Sequence, residues 1–508
     1  MPGGFSPQDF RYLLPEIVLA GGALLLLIAD VLTPRTRQRW LYGLAVAVLA
    51  ATGAALVAQY YQPAGPGGPA WSIPSVTVAG GLAAVDGFGL FFKIIFVLSA
   101  AITVLMSPRF LEIEGARAGE YLFLVLTATL GMFFLASGLD LLTIFIGLET
   151  MAIPFYILAG YIKPNRRSNE AAVKYFLLGA FSLGILLYGM SMLYGLTGTT
   201  QLRAIATALA GGQQGTLLAL GVVLVVAGVG FKIAAVPFHM WAPDVYEGAP
   251  TPITAFLSVG SKAASFAMLL RIFIEGLPQF RFEGLTVLFG TPVGWTTVFW
   301  VLSVVTMTVG NLAAITQSNT KRLLAYSSVA HAGYLMIGVV AGTSRGVTAM
   351  LIYLFVYLFM QLGAFAIVVV LRRKDVIGDE LKDLSGLYFR SPFAAIAMLL
   401  FMLSLGGIPP TAGFMGKFWL FSAAIESGYV WLAVIGVVNS AISLYYYVRV
   451  IVFMWIKEEA LGSPVTMAPA LGLVVAVALA GTVIFGVYPA PLFELARLSA
   501  VTLGVAAF

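Results

Sequence analysis

Four ionisable side chains lie deep inside long apolar stretches of the sequence, where a charge is costly. They are Glu149, Lys232, Lys262 and Lys417. A charge at the centre of a bilayer costs about 2.5–3.5 kcal/mol on insertion scales, and charged residues at such positions are typically functional. Buried lysines and carboxylates can gain and lose a proton, whereas the apolar residues around them cannot. These residue types and positions therefore predict an ion path, with proton transfer as its chemistry.

The composition places this path in a membrane protein. The 508 residues are 60% hydrophobic and only 10% charged, whereas soluble domains have about 25% charged residues. The absence of cysteine excludes cysteine-ligated iron–sulfur clusters, disulfides and thiol catalysis in this chain. Two histidines are too few for haem held by several histidine pairs, and no glycine-rich phosphate loop follows a strand. The net charge of +6 needs no nucleic acid to explain it.

The apolar windows predict an all-α membrane protein with about fourteen transmembrane helices, because a span needs about 20 apolar residues. The predicted spans are residues 12–32, 40–60, 87–106, 120–137, 139–161, 171–197, 217–240, 252–275, 293–313, 322–341, 347–371, 392–427 with a break, 429–455 and 467–488.

Basic residues are concentrated in the loops on one side of these spans, beginning with Arg35, Arg37 and Arg39. Under the positive-inside rule this side is cytoplasmic, so both termini lie outside. The first span is not expected to be a cleaved signal peptide, because these arginines follow it and only Arg11 precedes it.

Four connecting segments carry specific expectations. The inner loop 241–252 has two acids and no base, so it is either a tight turn or an acidic proton entrance. The outer segment 62–86 has β-forming residues around Gly80-Gly81, which predicts a hairpin with a two-residue turn. The charged segment 372–390 is expected to form a short surface helix. The tail after Pro491 is expected to lie at the membrane interface.

Seven basic residues lie inside the predicted spans, and four of them are close to span ends. Lys93, Arg271 and Arg449 are expected to extend to the interface along their own helices. Lys174, near the inner end of the sixth span, is compatible with either this placement or a functional role. The deeper Lys232, Lys262 and Lys417 complete the seven.

Glu149 lies as deep in its span as these lysines do, and it is the only acid near the middle of a predicted span. A lone carboxylate in hydrocarbon needs a cationic partner or must be neutral. The nearest span that contains a deep base without an evident partner is the seventh, and that base is Lys232. A buried Glu149–Lys232 ion pair is therefore expected. His239 and His331 lie in spans that already contain polar residues, so a role in proton relay is expected for both.

Two spans contain prolines that a regular helix cannot hold. Pro237 interrupts the seventh span, and Pro409-Pro410 interrupt the twelfth. Irregular backbone at membrane depth is tolerated where it lines a polar interior. The two breaks lie five spans apart in spans of opposite direction, which predicts an inverted repeat of spans 4–8 and 9–13.

Several stretches resemble the N-type membrane subunits of bacterial respiratory complex I, an NADH:quinone oxidoreductase. They include LTIFIGLETMAIPFYILAGY, GFKIAAVPFHMWAPDVYEGAPTP, KRLLAYSSVAHAGYLMIG and GGIPPTAGFMGKF. The resemblance implies the antiporter-like fold, with two inverted five-helix repeats (helices 4–8 and 9–13) and discontinuous helices 7 and 12. The corresponding expected divisions are residues 1–119, 120–275, 293–455 and 456–508.

The resemblance also implies site residues. It matches Glu149 to the glutamate of helix 5, and matches Lys232, Lys262 and Lys417 to the lysines of helices 7, 8 and 12. The other polar positions on the family's membrane axis are Lys174, His239 and His331.

The function implied by the resemblance is proton translocation driven by quinone reduction in other subunits. No redox cofactor is then expected in this chain, since FMN, iron–sulfur clusters and quinone would be held by partners. Expected partners are the K-, J-, A- and M-type membrane subunits and the lipid bilayer, with no nucleic acid. The expected location is the bacterial inner membrane, with both termini periplasmic.

Three alternatives share parts of this pattern. A subunit of a multi-protein Na⁺/H⁺ antiporter would have the same fold and lysines. An independent transporter of a small solute would need a substrate pocket at the broken helices. In a purely structural reading, the lysines only hold the helices together.

Overall fold

The structure is a computed structural model. It describes residues 6–34, 38–60, 75–211, 215–282, 286–288, 291–373, 378–455 and 466–504. Arg35, Arg37, most of the 62–86 segment and part of the 372–390 segment therefore lie outside the described residues.

The fold is a bundle of long helices with two small hairpins. The helices and strands are α1 (Asp9–Tyr12), α2 (Leu14–Leu32), α3 (Arg39–Tyr60), β1 (Val76–Val78), β2 (Ala83–Val85), α4 (Gly87–Glu114), α5 (Gly119–Ser137), α6 (Leu141–Ala159), α7 (Arg166–Thr197), α8 (Leu202–Leu209), α9 (Thr216–Ile233), α10 (Trp241–Gly248), α11 (Thr251–Phe256), α12 (Lys262–Leu270), β3 (Thr286–Leu288), β4 (Thr291–Val293), α13 (Trp295–Ile315), α14 (Thr320–Ala341), α15 (Ser344–Leu371), α16 (Leu387–Arg390), α17 (Pro392–Gly406), α18 (Ala412–Glu426), α19 (Val430–Trp455), α20 (Pro469–Val487) and α21 (Ala490–Val501).

The predicted all-α membrane fold is confirmed. Among the described residues, 13 helical segments are long and apolar enough to cross a membrane. The remaining predicted span is the twelfth, which consists of the two half-helices α17 and α18. The eighth span is one continuous helical segment, Thr251–Gly276, in which two π-helical turns flank α12.

Side-chain caps fix where several of these helices begin. Asp86 accepts a hydrogen bond from Gly89 N, and Asp140 accepts one from Leu142 N. Asn165 caps α7, Asn319 caps α14 and Thr343 caps α15 in the same way. A capping oxygen satisfies backbone donors that the first turn leaves unpaired, so these residues set the helix starts.

Three spans form the interior of the bundle. The eighth span and α15 are buried along their whole apolar windows, and α14 almost completely. The outer helices α2, α7, α13, α19 and α20 instead expose apolar side chains, as expected of surfaces in contact with lipid. Polar groups on the three inner spans must therefore find partners inside the protein.

The outer hairpin is confirmed, although its turn differs from the prediction. Val76 pairs with Val85 and Val78 with Ala83 in antiparallel register. The connection is the four residues 79–82, which include a short 3₁₀ turn, rather than two residues. A second hairpin, β3–β4, was not predicted from the sequence.

The two remaining segments also dock on the bundle. Within the described part of 372–390, Leu381–Leu384 and α16 form short helical turns whose leucines are buried, so this is not a purely surface helix. The tail after Pro491 forms most of α21, which packs against α4 and α15. Its Leu492 and Ala496 are buried.

Lys93 does not extend to the interface, so that expectation is wrong. Its ammonium lies 2.6 Å from Glu16 Oε1, and both side chains are buried. The position of Lys93 near a span end indicates its depth in the membrane but not its direction. Because α4 is buried at that point, the side chain of Lys93 faces a neighbouring helix instead of water.

The expectation for Arg271 is wrong for the same reason. Its guanidinium is completely buried, lies 2.8 Å from Asp86 and is ion-paired with Glu275. Arg449 is half-buried and donates a hydrogen bond to the Ile315 carbonyl at 2.9 Å, at the end of α13.

We predict that Lys93→Met destabilises the protein strongly, because it leaves the Glu16 carboxylate buried without its cation. Removing one partner of a buried pair typically costs about 3–5 kcal/mol. The measurement is the midpoint of thermal unfolding in detergent, with Arg39→Ala as the control, since Arg39 forms an exposed pair with Glu112. Equal midpoints for the two variants would contradict the prediction.

Candidate functional site

One face of α14 carries polar side chains into the centre of the bundle. Ser327, Ser328, His331 and Tyr334 follow one another at helical spacing, and all four are buried. Residues three or four apart share one side of a helix. Because α14 packs against α10, α13, α15 and α18, these groups meet side chains of the surrounding helices.

Lys262 reaches this face from the eighth span. It follows the π-helical turn Leu257–Ser261, and such turns inside α-helices are frequent at functional sites. The ammonium donates hydrogen bonds to the carbonyl oxygen of Ser328 and, at 2.6 Å, to its hydroxyl oxygen. It also lies 6.0 Å from the centre of the Tyr357 ring. None of the ion pairs among the described residues includes Lys262, so only neutral dipoles hold it.

His331 is joined to two tyrosines, one turn further along α14. Its Nδ1 is hydrogen-bonded to the Tyr353 hydroxyl, and its Nε2 lies 3.0 Å from the Tyr447 hydroxyl. The Tyr447 hydroxyl is also hydrogen-bonded to the Ser327 hydroxyl. These hydroxyl and imidazole groups can each donate or accept, so they form a continuous hydrogen-bonded chain.

Lys417 lies at the break in the twelfth span. Its ammonium donates to the carbonyls of Leu405 and Gly406 at 3.0 and 3.1 Å, and to the Ser440 hydroxyl at 2.9 Å. It also lies 4.8 Å from the centre of the Tyr334 ring. The two carbonyls belong to the last turn of α17, where the helix dipole favours a cation. The break at Pro409-Pro410 thus supplies the acceptors for the lysine.

The break in the seventh span produces a related arrangement. Regular helix ends at Ile233 and resumes with α10 at Trp241, so the predicted interruption around Pro237 is confirmed. Trp241 donates its indole N–H to the Phe231 carbonyl at 2.9 Å. Lys232 lies in the last turn of α9, again at the C-terminal end of a half-helix.

The expected direct ion pair between Glu149 and Lys232 is absent from the described structure. The Lys232 ammonium instead lies 3.4 Å from the Tyr156 hydroxyl and 5.6 Å from the centre of that ring. Glu149 precedes Tyr156 by two turns of α6, and its Oε1 is buried without a hydrogen-bond partner among the described residues. The two charges still interact electrostatically, but Tyr156 occupies the position expected for the carboxylate.

Lys174 and His239 lie outside the central chain of polar groups. Lys174 is partly exposed and pairs with Glu170 at 2.8 Å and with Asp244 at 2.6 Å. His239 is half-buried in the break of the seventh span, and its Nδ1 has no hydrogen-bond partner in the described part of the chain.

The inner loop 241–252 is not a tight turn, because most of it forms α10. Its two acids are ion-paired with bases from other helices. Arg322 lies 2.7 Å from Asp244 and 3.0 Å from Glu247. Hydrogen bonds to Lys174 and Arg322 hold the pKa of Asp244 below its usual range despite partial burial, which raises it. These two carboxylates therefore hold α10 in place.

The tyrosines and asparagines of the interior were missed from the sequence. Tyr446 donates to the side-chain oxygen of Asn311 at 2.9 Å, and Asn311 donates to the Tyr334 hydroxyl at 3.1 Å and to Asn439. Two features of the sequence could have predicted them. One is the helical spacing of polar residues on α14, and the other is the run of tyrosines at 445–447 in an apolar span.

No group of three or more His, Asp or Glu suited to a metal ion occurs among the described residues. The interior polar groups are instead arranged as single titratable side chains connected by hydroxyls. Such an arrangement can pass protons.

Comparison with known proteins identifies the family. Residues 138–443 match the family model "NADH:quinone oxidoreductase/Mrp antiporter, TM". A relative from Solibacter usitatus, NADH-quinone oxidoreductase subunit N 2, is 45% identical over 97% of this chain and 98% of its own. The chain belongs to the NADH-quinone oxidoreductase subunit N family. Subunit N of Trichlorobacter lovleyi is similar at 44% identity, covering 97% of each chain.

Solved structures agree with membership of the subunit N family. A chain of respiratory complex I from Thermus thermophilus with bound aureothin is 32% identical, with a TM-score of 0.77, and covers 95% of this chain and 99% of its own. A chain of the Mrp complex from Dietzia is 23% identical with a TM-score of 0.79, over 98% of both chains. The second likeness shows that the fold is shared and nothing more.

We predict that Gly407→Ala destabilises this subunit N chain more than Gly428→Ala. Both glycines have φ near +85°, so each alanine causes left-handed strain of about 1–2 kcal/mol. Only at Gly407 would the new Cβ lie 2.9 Å from Lys417 Cδ and displace the ammonium from its acceptors. Hydrogen bonds to charged groups contribute about 1.5–3 kcal/mol each, which predicts a clearly lower midpoint of thermal unfolding for Gly407→Ala. Identical midpoints would show that the contact with Lys417 is unimportant.

Proposed function

We propose that this chain is a proton-translocating membrane subunit of an NADH:quinone oxidoreductase. Its family membership over nearly the whole length supports the assignment to such a complex. The FMN, iron–sulfur clusters and quinone would then be held by partner chains, and quinone reduction there would drive proton movement through this one.

The observation that carries the proposal is the environment of Lys262. The ammonium lies in the middle of a completely buried span and is held by Ser328 and the face of Tyr357. A lysine whose only purpose is to bind helices together gains most from a carboxylate, as Lys93 does from Glu16. A lysine that is held by neutral groups can lose its proton without leaving a second charge unpaired.

The path we propose runs from Lys262 along α14 to Lys417. Ser328 and Ser327 are neighbours on α14, and the Ser327 hydroxyl is connected to His331 through the Tyr447 hydroxyl. Tyr334, one turn beyond His331, lies against the Lys417 ammonium. Hydroxyl and imidazole groups relay a proton by accepting one and releasing another. Ordered water would complete the steps between groups that are not directly bonded.

Lys232 and Glu149 would regulate this path by charge. At an effective dielectric constant of about 20, two unit charges about 8 Å apart repel each other by about 2 kcal/mol. A shift in how strongly Glu149 offsets Lys232 would therefore favour or oppose a proton on Lys262. Tyr156, which contacts Lys232, is a further member of this control pair. His239 and Lys174 would act at the edge of the path.

The two-repeat architecture is part of the proposal, with residues 120–275 and 293–455 as the inverted five-helix units. It is supported by the matching breaks, since Lys232 and Lys417 each contact or occupy the C-terminal turn of a half-helix. Residues 1–119 and 456–508 would be the flanking units.

We further propose that this multi-pass chain lies in the bacterial inner membrane with both termini periplasmic. The basic loops support this orientation under the positive-inside rule. Neighbouring K-, J-, A- and M-type membrane subunits and lipid would cover its apolar outer faces. The Na⁺/H⁺ antiporter alternative is supported by the family model, which covers both kinds of subunit, and by a fold likeness at 23% identity.

We predict that Lys262→Arg abolishes proton translocation nearly as completely as Lys262→Ala. A proton carrier must lose its charge, and arginine does not deprotonate in proteins. Rates of proton translocation and of NADH:quinone reductase activity would be compared in membranes containing the assembled complex. Lys163→Arg and Lys163→Ala are the controls, because Lys163 is exposed.

The two roles for Lys262 give opposite results in this experiment. A structural role needs only a positive charge at this position, so arginine would then rescue the alanine defect. Parental pumping by Lys262→Arg would rule out Lys262 as a proton carrier.

A further inference from the structure

A polar cavity of about 240 Å³ lies at the end of the bundle that carries the basic loops. Charged residues from five segments line it, and most of them are engaged in ion pairs. Arg372 pairs with Glu114 at 2.5 Å, and Glu247 pairs with Arg322 at 3.0 Å. The cavity has room for several water molecules, each of which takes about 30 Å³.

Asp379 is the carboxylate of this cavity that is least strongly paired. Its nearest cation is Lys321 at 3.9 Å, beyond hydrogen-bonding distance. Burial raises the pKa of Asp379, while Lys321 and Arg372 lower it and the nearby Asp383 and Glu247 raise it further. A buried carboxylate without a close cationic partner binds a proton more readily than an exposed one does.

Lys321 forms the floor of the cavity, at the start of α14. Its ammonium is buried and donates to the carbonyls of Glu247 and Ala249, each at 2.7 Å. The Ala249 carbonyl is also 3.4 Å from the Thr254 hydroxyl, which donates at 2.9 Å to the Tyr246 carbonyl. Lys321 therefore ties the cavity to the first turn of the eighth span.

From Thr254 a stripe of hydroxyls leads along the eighth span to Lys262. Thr254, Ser258 and Lys262 are spaced by four residues, so they lie on one side of the helical segment. All three are buried. The eight residues from Thr254 to Lys262 cover about 12 Å of helix. The proton path of the proposed function has no other entrance assigned.

We propose that the cavity at Asp379 and Lys321 is the proton-uptake entrance that supplies Lys262, by way of Thr254 and Ser258. The inference rests on the proposed function of Lys262. Asp379 takes a proton from water in the cavity and becomes a neutral carboxylic acid. It releases that proton to water beside Thr254, and the hydroxyls of Thr254 and Ser258 pass a proton on to neutral Lys262. Lys321 is a positioning residue, because its ammonium holds the carbonyls that line the passage.

The test uses the assembled complex in inverted membrane vesicles, so that the basic-loop side faces the medium. Asp379→Asn is expected to slow NADH-driven proton translocation at least fivefold while the amount of assembled complex is unchanged. Asp379→Glu should restore it, and so should sodium formate in the medium, because a small carboxylate fits in the cavity and can carry protons. Glu112→Gln is the control, an exposed acid at the same end of the bundle.

A second pair of variants tests the passage itself. Thr254→Val removes the hydroxyl at nearly constant shape and is expected to slow translocation at least threefold. Thr129→Val is the matched control, because Thr129 is equally buried and its hydroxyl bonds only to its own helix, at Val125.

Parental translocation by Asp379→Asn, or a loss that neither formate nor glutamate restores, would overturn the entrance. Equal effects of Thr254→Val and Thr129→Val would overturn the passage. In either case Lys262→Ala remains the test of the proposed function. An inactive Lys262→Ala beside a fully active Asp379→Asn removes the entrance alone, whereas a fully active Lys262→Ala removes the function itself.

Discussion

A charge inside a membrane protein must be solvated by the protein, and this requirement organises the whole chain. Two different solutions are present. Lys93 and Arg271 are paired with carboxylates and pack helices together. Lys262 and Lys417 are held by carbonyls, hydroxyls and aromatic faces, without a carboxylate among the described residues. The first arrangement fixes a charge permanently, while the second leaves a proton removable.

The broken spans follow from the same requirement. A continuous helix uses nearly all of its carbonyls internally, so it offers few acceptors to a lysine. Ending α17 at Gly406 frees the carbonyls that Lys417 contacts, and the end of α9 places Lys232 on a comparable terminus. Tryptophan and threonine side chains satisfy other backbone groups at the first break, where Trp241 and Thr306 bond to it. The breaks are therefore part of the site and not defects in the spans.

The sequence predicted the spans, both breaks and the deep lysines, because these depend on hydrophobicity and on local backbone chemistry. It did not predict which way a side chain points. Lys93 and Arg271 were expected at the interface, since position along a span gives depth but not direction. The pairing of Lys232 with Tyr156 depends on the rotation of α6 against α9, which no single stretch of sequence encodes. The partners of His331 on α15 and α19 come from residues more than twenty positions away, so only the packed structure brings them together.

The central claim is that protons move along the hydrogen-bonded chain on α14, and one hydroxyl tests it most directly. Tyr447 connects His331 with Ser327 through a single oxygen atom. The number of protons translocated per NADH oxidised should be measured in vesicles for Tyr447→Phe, with the exposed Tyr188→Phe as control. The account predicts a lower ratio for Tyr447→Phe with normal assembly of the complex. An unchanged ratio would contradict it.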